Sequence, residues 1–391
     1  MAVYKIFPEK DASIYSEFPL LNTGLDEVLS VSTYYNTLYP NVSRFLIQFS
    51  QTEIEDIINT KISGSVTDAT GSLITGSNAA IFKSNLRCFV SDVTGLNSNT
   101  TLKVYPISGS WNMGTGRYPN NPQTTNGVGW TYRSSNGVNA WPSTFNPYVT
   151  SSYSGSNIGG GTWYTGSSLG LNVTASQELS YSSNKDLNVD VTNTVLNWYS
   201  ASNSLGGFSN DGFIVKQSDS DEFIADRNYV TTVDYFSIDT HTIYPPQLEF
   251  KWSDFSFNTG SSTNTIINTS RMVATLDNNG GTYRRGSVEK FRINSRPQFP
   301  IRVFQTASIY TTNNYLPTAS YYAVKDLDTN EFVIDFDTTY TKISADDESS
   351  YFTLYMSGLE PERYYQILIK TEIGGEVLIL SDNYYFKVIN G

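Results

Sequence analysis

The residues Gly166-Ser-Ser-Leu-Gly170 carry the Gly-x-Ser-x-Gly spacing of a nucleophile elbow, and His241 follows them in the chain. A serine in such an elbow is reactive only when a hydrophobic strand leads into it and a helix leads away. Ser168 instead sits among Gly, Ser, Asn and Thr, so the spacing reads as coincidence. His241, the only histidine, lies in Asp239-Thr-His-Thr and reads as a strand-end residue, solvent-facing or hydrogen-bonded, rather than a catalytic base. Asp219-Ser-Asp221-Glu222 places carboxylates at alternate positions, where hard oxygen ligands can hold Ca²⁺, or where a solvated acidic turn can form without one. Asp326-Leu-Asp328-Thr-Asn330 opens like a calcium loop. Glu331 occupies the position that needs glycine and Asp337 that of the bidentate glutamate, so the segment reads as a hairpin turn.

The aromatic residues offer a different chemistry. Four of six tryptophans, Trp111, Trp130, Trp141 and Trp163, fall with Tyr132 and Tyr164 inside residues 106–170, a segment dominated by Gly, Ser, Asn, Thr and Pro. Flat rings of this kind can stack on sugar rings, anchor long loops onto a scaffold, or fill a subunit interface. A disordered linker would be poor in them, so the segment is expected to form long ordered loops. Nothing singles out a carboxylate pair for glycoside hydrolysis, and the Gly159-Gly-Gly161 run lacks the Lys and helix of a phosphate cradle.

Composition narrows what can position these groups. The 391 residues include 25 Lys and Arg against 37 Asp and Glu, a net charge of −12, which repels polyphosphate backbones and disfavours nucleic acid as a partner. Charged residues make up 16% and aromatics 14%, with 28 Tyr, 21 Phe and 28 Gly, a balance that suits half-buried strands and turns. One cysteine, Cys88, excludes an intrachain disulfide and a Cys-rich metal cage. Neither a secretory apolar run at the start nor an uncharged stretch of ~18 apolar residues is present, so the chain is expected to be made in a cytoplasm and not to span a membrane.

Period-two patterning predicts strands at Val3–Phe7, Glu27–Val31, Ser43–Phe49, Asn85–Val90, Gly212–Lys216, Tyr235–Asp239 and Pro246–Trp252. Ser50-Gln-Thr-Glu53 fits a capping box opening a helical turn through Ile54, Ile57 and Ile58, and a second helix is expected from Thr192, burying Val195, Leu196 and Trp198. Residues 253–264 resemble a linker. Beyond them, Arg271–Asp277, Asn278-Asn-Gly-Gly and Thr282–Arg285 predict a hairpin, because an Asn-Gly pair readily takes the positive φ of a tight turn. Six further strand-like runs follow between Tyr321 and Val388, at the spacing of a small sandwich.

Read in order, Asp11-Ala-Ser-Ile-Tyr15 with Asn22-Thr-Gly24, Arg44–Phe49, Ser110–Gly116 with Gly127-Val-Gly-Trp130, Asp190–Val195 with Trp198, and Pro246–Phe250 resemble the DNRLRE-type β-sandwich domains. These are jelly-roll modules of surface and carbohydrate-binding proteins. Gly358-Leu-Glu-Pro-Glu-Arg-Tyr364 looks like the Leu-x-Pro-x-x-x-Tyr corner of fibronectin type III and immunoglobulin-like domains, which implies a corner built from Leu359, Pro361 and Tyr364. The expected fold is all-β: a jelly-roll sandwich over 1–252, a linker and β connector over 253–317 with Arg296–Arg302, and an Ig-like sandwich over 318–391. That arrangement without an export signal resembles structural proteins of tailed-bacteriophage virions. It implies a non-enzymatic part of a neck, tail, baseplate or capsid, present in symmetric copies among other virion proteins. The alternative is a carbohydrate-binding module that touches host surface glycan.

Overall fold

The computed structural model describes residues 2–36, 39–65, 73, 80–96, 98–135, 137–141, 149–150, 159–224, 226, 228–260, 272–299, 314–381 and 384–390. The fold is all-β, with short helices, and divides into two compact units. One comprises Ile6–Gly64 and Asp68–Glu249. The other comprises Phe250–Gly391 together with Met1–Lys5 and Ser65–Thr67. Among the described residues no helix is long and apolar enough to cross a membrane.

The first unit is built on an eight-stranded antiparallel sheet. Its order is Ala175–Leu179, Thr100–Pro106, Phe213–Gln217, Tyr39–Phe49, Val28–Asn36, Val230–Phe236 and Val90–Thr94, with Pro8–Tyr15 also paired to Tyr39–Phe49. Alternation decides which face each residue takes. Leu29 and Val31 enter the core beside their register partners Tyr235 and Val233, while Ser30, Ser32 and Tyr34 take the other face. Tyr235 crosses the core and donates its hydroxyl to the Lys185 carbonyl at 3.0 Å. That carbonyl leads into strand Leu187–Asp190, which pairs with Phe82–Cys88. Cys88 is buried and unoxidised there, its thiol pushed up by burial.

Both anticipated helices form, at Gln51–Asp56 and Thr192–Ser202, and bury Ile54 in one and Val195, Leu196 and Trp198 in the other. The first continues as a π-helix, Ile57–Ile62, burying Ile57 and Ile58. The capping box does not close: the Ser50 hydroxyl bonds to the Thr52 hydroxyl at 2.9 Å and makes no cap, and the first turn rests on the Ser50 carbonyl.

The second unit stacks two sheets. Met272–Leu276, Val288–Pro297, Ser350–Tyr355 and Ser344–Ala345 form one. Thr282–Arg284, Tyr385–Ile389, Tyr364–Ile373, Ser320–Asp326 and Phe332–Ile334 form the other, with Glu376–Leu380 beside the second half of Tyr364–Ile373. Their inner faces interdigitate as aromatic stacks: Phe291 and Phe352 centroids lie 5.3 Å apart, and Tyr322 packs on Phe352 at 4.3 Å.

Four expectations do not hold. The 271–285 segment is not a hairpin. Met272–Leu276 pairs with Val288–Pro297, whereas Thr282–Arg284 runs parallel to Tyr385–Ile389 in the facing sheet. Gly281, at φ 74°, turns the chain from one layer to the other instead of back on itself. The 253–317 connector has no separate core, since its described strands complete the C-terminal sandwich. Ser256 and Asn258 of the expected linker exchange backbone bonds with Ala345. Residues 2–5 group with the C-terminal unit rather than with 6–249: Tyr4 sets its ring edge-on to Tyr355 at 5.6 Å, and the Lys5 ammonium donates to the Val333 carbonyl at 2.9 Å. Of the Arg296–Arg302 run, residues 300–302 lie outside the described residues.

The fourth correction concerns the corner. Tyr364 points outward and is 52% exposed, whereas Tyr365 is buried and donates its hydroxyl to the Glu360 carbonyl at 2.9 Å. A three-residue gap after Pro361 lands on Tyr365, which supplies the bond that ties the turn to the strand. Leu359 is buried beneath it. The Asp326 turn takes its expected form: Asp326 accepts from the backbone of Asp328 and Thr329, Asn330 adopts φ 64°, and Arg363 forks onto the Asp326 carboxylate at 2.6 and 2.7 Å.

Candidate functional site

The tryptophans expected to form a platform are core. Trp111, Trp130, Trp141 and Trp163 are all at most 6% exposed and share one cluster with Ile14, Leu46, Ile107 and Ile214. Their ring nitrogens are used locally, Trp111 donating to the Asp211 carbonyl at 2.9 Å and Trp141 to the Gly129 carbonyl at 3.1 Å. No flat face of these four is open to a sugar. Tyr132 is half-buried and bridges Ala140, and Tyr164 stacks on Phe208 at 4.1 Å. The six residues are loop anchors.

The acidic cluster is also reassigned. Asp219–Glu222 is a short helix, not a solvated turn, and Glu222 is fully buried. Arg44 meets it through two bonds, Nε to Oε1 at 2.9 Å and Nη2 to Oε2 at 2.7 Å, and the Lys216 ammonium lies 3.1 Å from Oε2. Asp219 accepts from Lys216 at 2.6 Å, while Asp221 accepts from the Thr101 amide and the Ser218 hydroxyl. These carboxylates are matched by cations and donors of the chain itself. Among the described residues no group of three or more His, Cys, Asp or Glu is placed to hold a metal. Ser168 lies in a turn with no helix after it and accepts from the Gly207 amide. His241 is 88% exposed, 3.5 Å from Glu27.

What the fold does build is a cleft of about 460 Å³ on the outer face of the eight-stranded sheet. Its floor is the row that alternation turns away from the core: Val28, Ser30, Ser32 and Tyr34 on one strand, and Thr232 and Asp234 on the next, with Ser30 opposite Asp234 and Ser32 opposite Thr232. Tyr15 closes one side from the neighbouring strand. Tyr118 comes from the long loop, its ring edge-on to Tyr15 at 5.0 Å and to Phe18 at 5.9 Å. Asp26 holds Tyr118 in place by accepting its backbone amide at 3.0 and 3.1 Å.

The loop that carries Tyr118 is fixed by Asn22, which is fully buried. Its side chain donates to the carbonyls of Met113 and Val128 at 2.6 and 2.9 Å and accepts from the Gly116 amide at 2.8 Å. A Cβ on Gly116 or Gly127 would collide with Asn22, so only glycine lets the loop close over that amide. The segments Asn22–Gly24, Ser110–Gly116 and Gly127–Trp130, well separated along the chain, therefore meet in space.

The cleft combines acceptors and neutral donors. Burial pushes the carboxyls of Asp26 and Asp234 up. The Tyr118 amide and Arg117 oppose this at Asp26, and the Ser30 hydroxyl opposes it at Asp234, where Asp92 adds to the rise. Burial likewise pushes the phenols of Tyr15, Tyr34 and Tyr118 up, which keeps them protonated hydrogen-bond donors. Tyr34 donates to Glu17. The Ser32 hydroxyl bonds to Ser43 at 2.7 Å, so neither floor serine is paired with an imidazole. Elsewhere in this unit, Asp11 is 1% exposed and accepts from the Ile238 amide at 2.7 Å.

Burial pushes the Asp11 carboxyl up to about 8, against the pull of the Ile238 amide and with Asp239 adding to the rise. The folded protein thus keeps a proton that the unfolded chain releases above ~4. Stability from this group is greatest below that pH and falls as pH rises towards about 8. Asp11→Asn retains an acceptor oxygen without the ionisation. Thermal melts between pH 4 and 8 are expected to fall more steeply for wild type than for Asp11→Asn, and equal slopes would contradict the assignment.

No protein-family profile matches the chain, and no curated protein matches it. A solved structure of a DUF4785 family protein from Legionella pneumophila aligns over 100% of this chain and 69% of that one, at 9% identity and a TM-score of 0.18. A likeness that low carries no argument about fold or function.

Proposed function

We propose that the chain is a non-enzymatic structural component of a tailed-bacteriophage virion, present in symmetric copies, whose β-sandwich units carry contact surfaces for neighbouring virion proteins. The resemblance supplies the setting. The observation that carries the reading is the outer face of the six-stranded sheet in the C-terminal unit. Tyr365, Ile367 and Ile369 enter the core, so Tyr364, Gln366 and Lys370 face away from it. The register places Tyr385 across from Gln366, Ile379 across from Lys370 and Val377 across from Glu372. Tyr364, Tyr385, Val377 and Ile379 are 52%, 39%, 55% and 53% exposed and belong to one face. Exposed apolar residues gathered on a rigid sheet suit burial against another protein, with the two tyrosines as its anchors.

Support also comes from the uses already found for the reactive groups. The buried carboxylate Glu222 balances Arg44 and Lys216, Ser168 holds a loop, and the net charge of −12 disfavours nucleic acid. The test is a Val377→Asp, Ile379→Asp double variant supplied in place of wild type during particle assembly. Both positions are solvent-facing, so its melting temperature is expected to stay within a few degrees of wild type. Its incorporation into purified particles, read by quantitative mass spectrometry, is expected to fall at least ~10-fold, which corresponds to ~1.4 kcal/mol of binding free energy. Incorporation at the wild-type level would overturn the reading.

A further inference from the structure

We propose that strand Glu376–Leu380 of the C-terminal unit is the seam along which two copies of the chain pair, antiparallel and about a two-fold axis, into one continuous sheet. The inference rests on the reading of a chain present in symmetric copies and deepens it, naming a second copy as the partner at one contact. The assembly face uses side chains above the sheet, whereas the seam uses the backbone at its margin.

The geometry follows from the turn. Gly374 and Gly375, at φ 60° and 86°, form a two-residue turn that closes on the pair Ile373 and Glu376. Hydrogen-bonded and non-hydrogen-bonded pairs alternate along an antiparallel ladder, and the pair closing such a turn is of the bonded kind. Thr371 with Leu378 and Ile369 with Leu380 are then bonded pairs too, so Val377 and Ile379 turn their N–H and C=O groups away from Tyr364–Ile373. Among the described residues no strand pairs with them from that side and no other backbone group bonds to them. An open row of this kind is a template for another strand, and proteins that avoid such pairing blunt it with Lys, Pro, a bulge or a very short edge. Glu376–Leu380 has none of these: it is five residues in unbroken register, Val-Leu-Ile-Leu after one carboxylate. The other margins of the sheet, Thr282–Arg284 and Phe332–Ile334, are three residues long.

The strand is complementary to itself. With Leu378 on the axis, Val377 lies opposite the partner's Ile379, and Ile379 opposite the partner's Val377. Both members of each pair turn their backbone groups to the seam, so each pair can exchange both N–H···O=C bonds, and the side chains that meet are apolar. Charges are kept apart by sign. Glu376 lies opposite the partner's Leu380, not the partner's Glu376. Lys370 is across from Ile379 and Glu372 across from Val377 within one copy, so a row that starts at Lys370 ends at the partner's Glu372.

Sedimentation equilibrium of the full chain between ~5 and ~200 µM tests the seam, which is short enough to belong with weak contacts below ~1,200 Å². The weight-average mass is expected to rise from 43.5 kDa towards twice that value. Val377→Pro removes a donor that the ladder to Tyr364–Ile373 does not use, so it is expected to fold, as a melting curve checks, and to raise the dimer dissociation constant at least ~10-fold. Disulfide trapping reads the register, since Cys88 is buried. Leu378→Cys meets its own copy in a non-hydrogen-bonded pair, with ~4.5 Å between Cα atoms, which a disulfide spans. It is expected to cross-link at least ~5-fold more than Val377→Cys, whose copies lie diagonally at ~7–8 Å. A chain monomeric throughout, association unchanged in Val377→Pro, or Val377→Cys cross-linking as well as Leu378→Cys would each overturn the proposal. A monomeric chain whose Val377→Asp, Ile379→Asp variant still fails to enter particles would end this inference and leave the assembly face standing. A dimer that Val377→Pro breaks, with the Asp variant entering particles normally, would do the reverse.

Discussion

Glu222→Ala is expected to lower the stability of the N-terminal unit by ~3–5 kcal/mol, the range for breaking a buried ion pair from one side. The loss is large because of what remains. Arg44 is fully buried and Lys216 is 1% exposed, so removing the carboxylate leaves two cations facing each other in the core. Arg44 has other contacts: its Nη1 donates to the Gly160 carbonyl at 2.5 Å, and its guanidinium lies 5.0 and 5.4 Å from the Trp130 and Trp163 rings. These orient the charge without neutralising it. Asp219 reaches Lys216, but its side chain is 74% exposed and screened by water. Glu222→Gln keeps the volume and an acceptor oxygen and is expected to lose less than Glu222→Ala. Urea denaturation followed by tryptophan fluorescence measures both. A loss under ~1 kcal/mol for Glu222→Ala would show that the three groups do not act as a coupled cluster.

Trp163→Ala is expected to cost a similar ~3–5 kcal/mol, the range for removing a buried tryptophan. Trp163 is 3% exposed, bridges Ile107, and lies 5.6 Å from Tyr105 and 5.5 Å from the Lys216 ammonium. Its ring therefore fills space between the long loop and the sheet while facing the Glu222 cluster. Because both substitutions disturb Arg44 and Lys216, their effects are expected not to add, and a double-mutant cycle should show coupling of ~0.5–3 kcal/mol. A Trp163→Ala protein of wild-type stability would contradict the placing of this ring in the core.

Much of the fold can be read from alternation alone. The strands at Ser43–Phe49, Gly212–Lys216 and Tyr235 onward declare a buried face, and Ile54 and Trp198 declare helices, because burial is written into the period of apolar residues. Pairing is not. Asn278-Asn-Gly-Gly has the composition of a hairpin turn, but whether the chain returns to the same sheet or crosses to the facing one depends on partners about a hundred residues away, as Thr282–Arg284 beside Tyr385–Ile389 shows. Adjacent tyrosines make the corner depend on an exact count: the three-residue gap after Pro361 reaches Tyr365, and because Tyr364 and Tyr365 point to opposite faces, a one-residue slip exchanges the corner for the surface.

The candidate site was less legible. Aromatic residues in a Gly- and Asn-rich segment signal an anchored loop and a binding loop equally well, and only burial separates Trp163 from Tyr118. Ser30, Ser32 and Tyr34 form a visible polar row. Nothing local reveals that Asn22, through Gly116 and Gly127, folds a loop from about ninety residues further on over that row. Glu222 and Arg44 are 178 positions apart, so an acidic run that looks solvated is in fact matched by a distant cation.

We propose that this chain works by contact, with the C-terminal sheet face buried against a neighbour. An image of the assembled particle at side-chain resolution tests it most directly. Several symmetry-related copies are expected, with Val377 and Ile379 covered by another virion protein. Particles that lack the chain, or copies whose Val377 and Ile379 stand in solvent throughout, would contradict it.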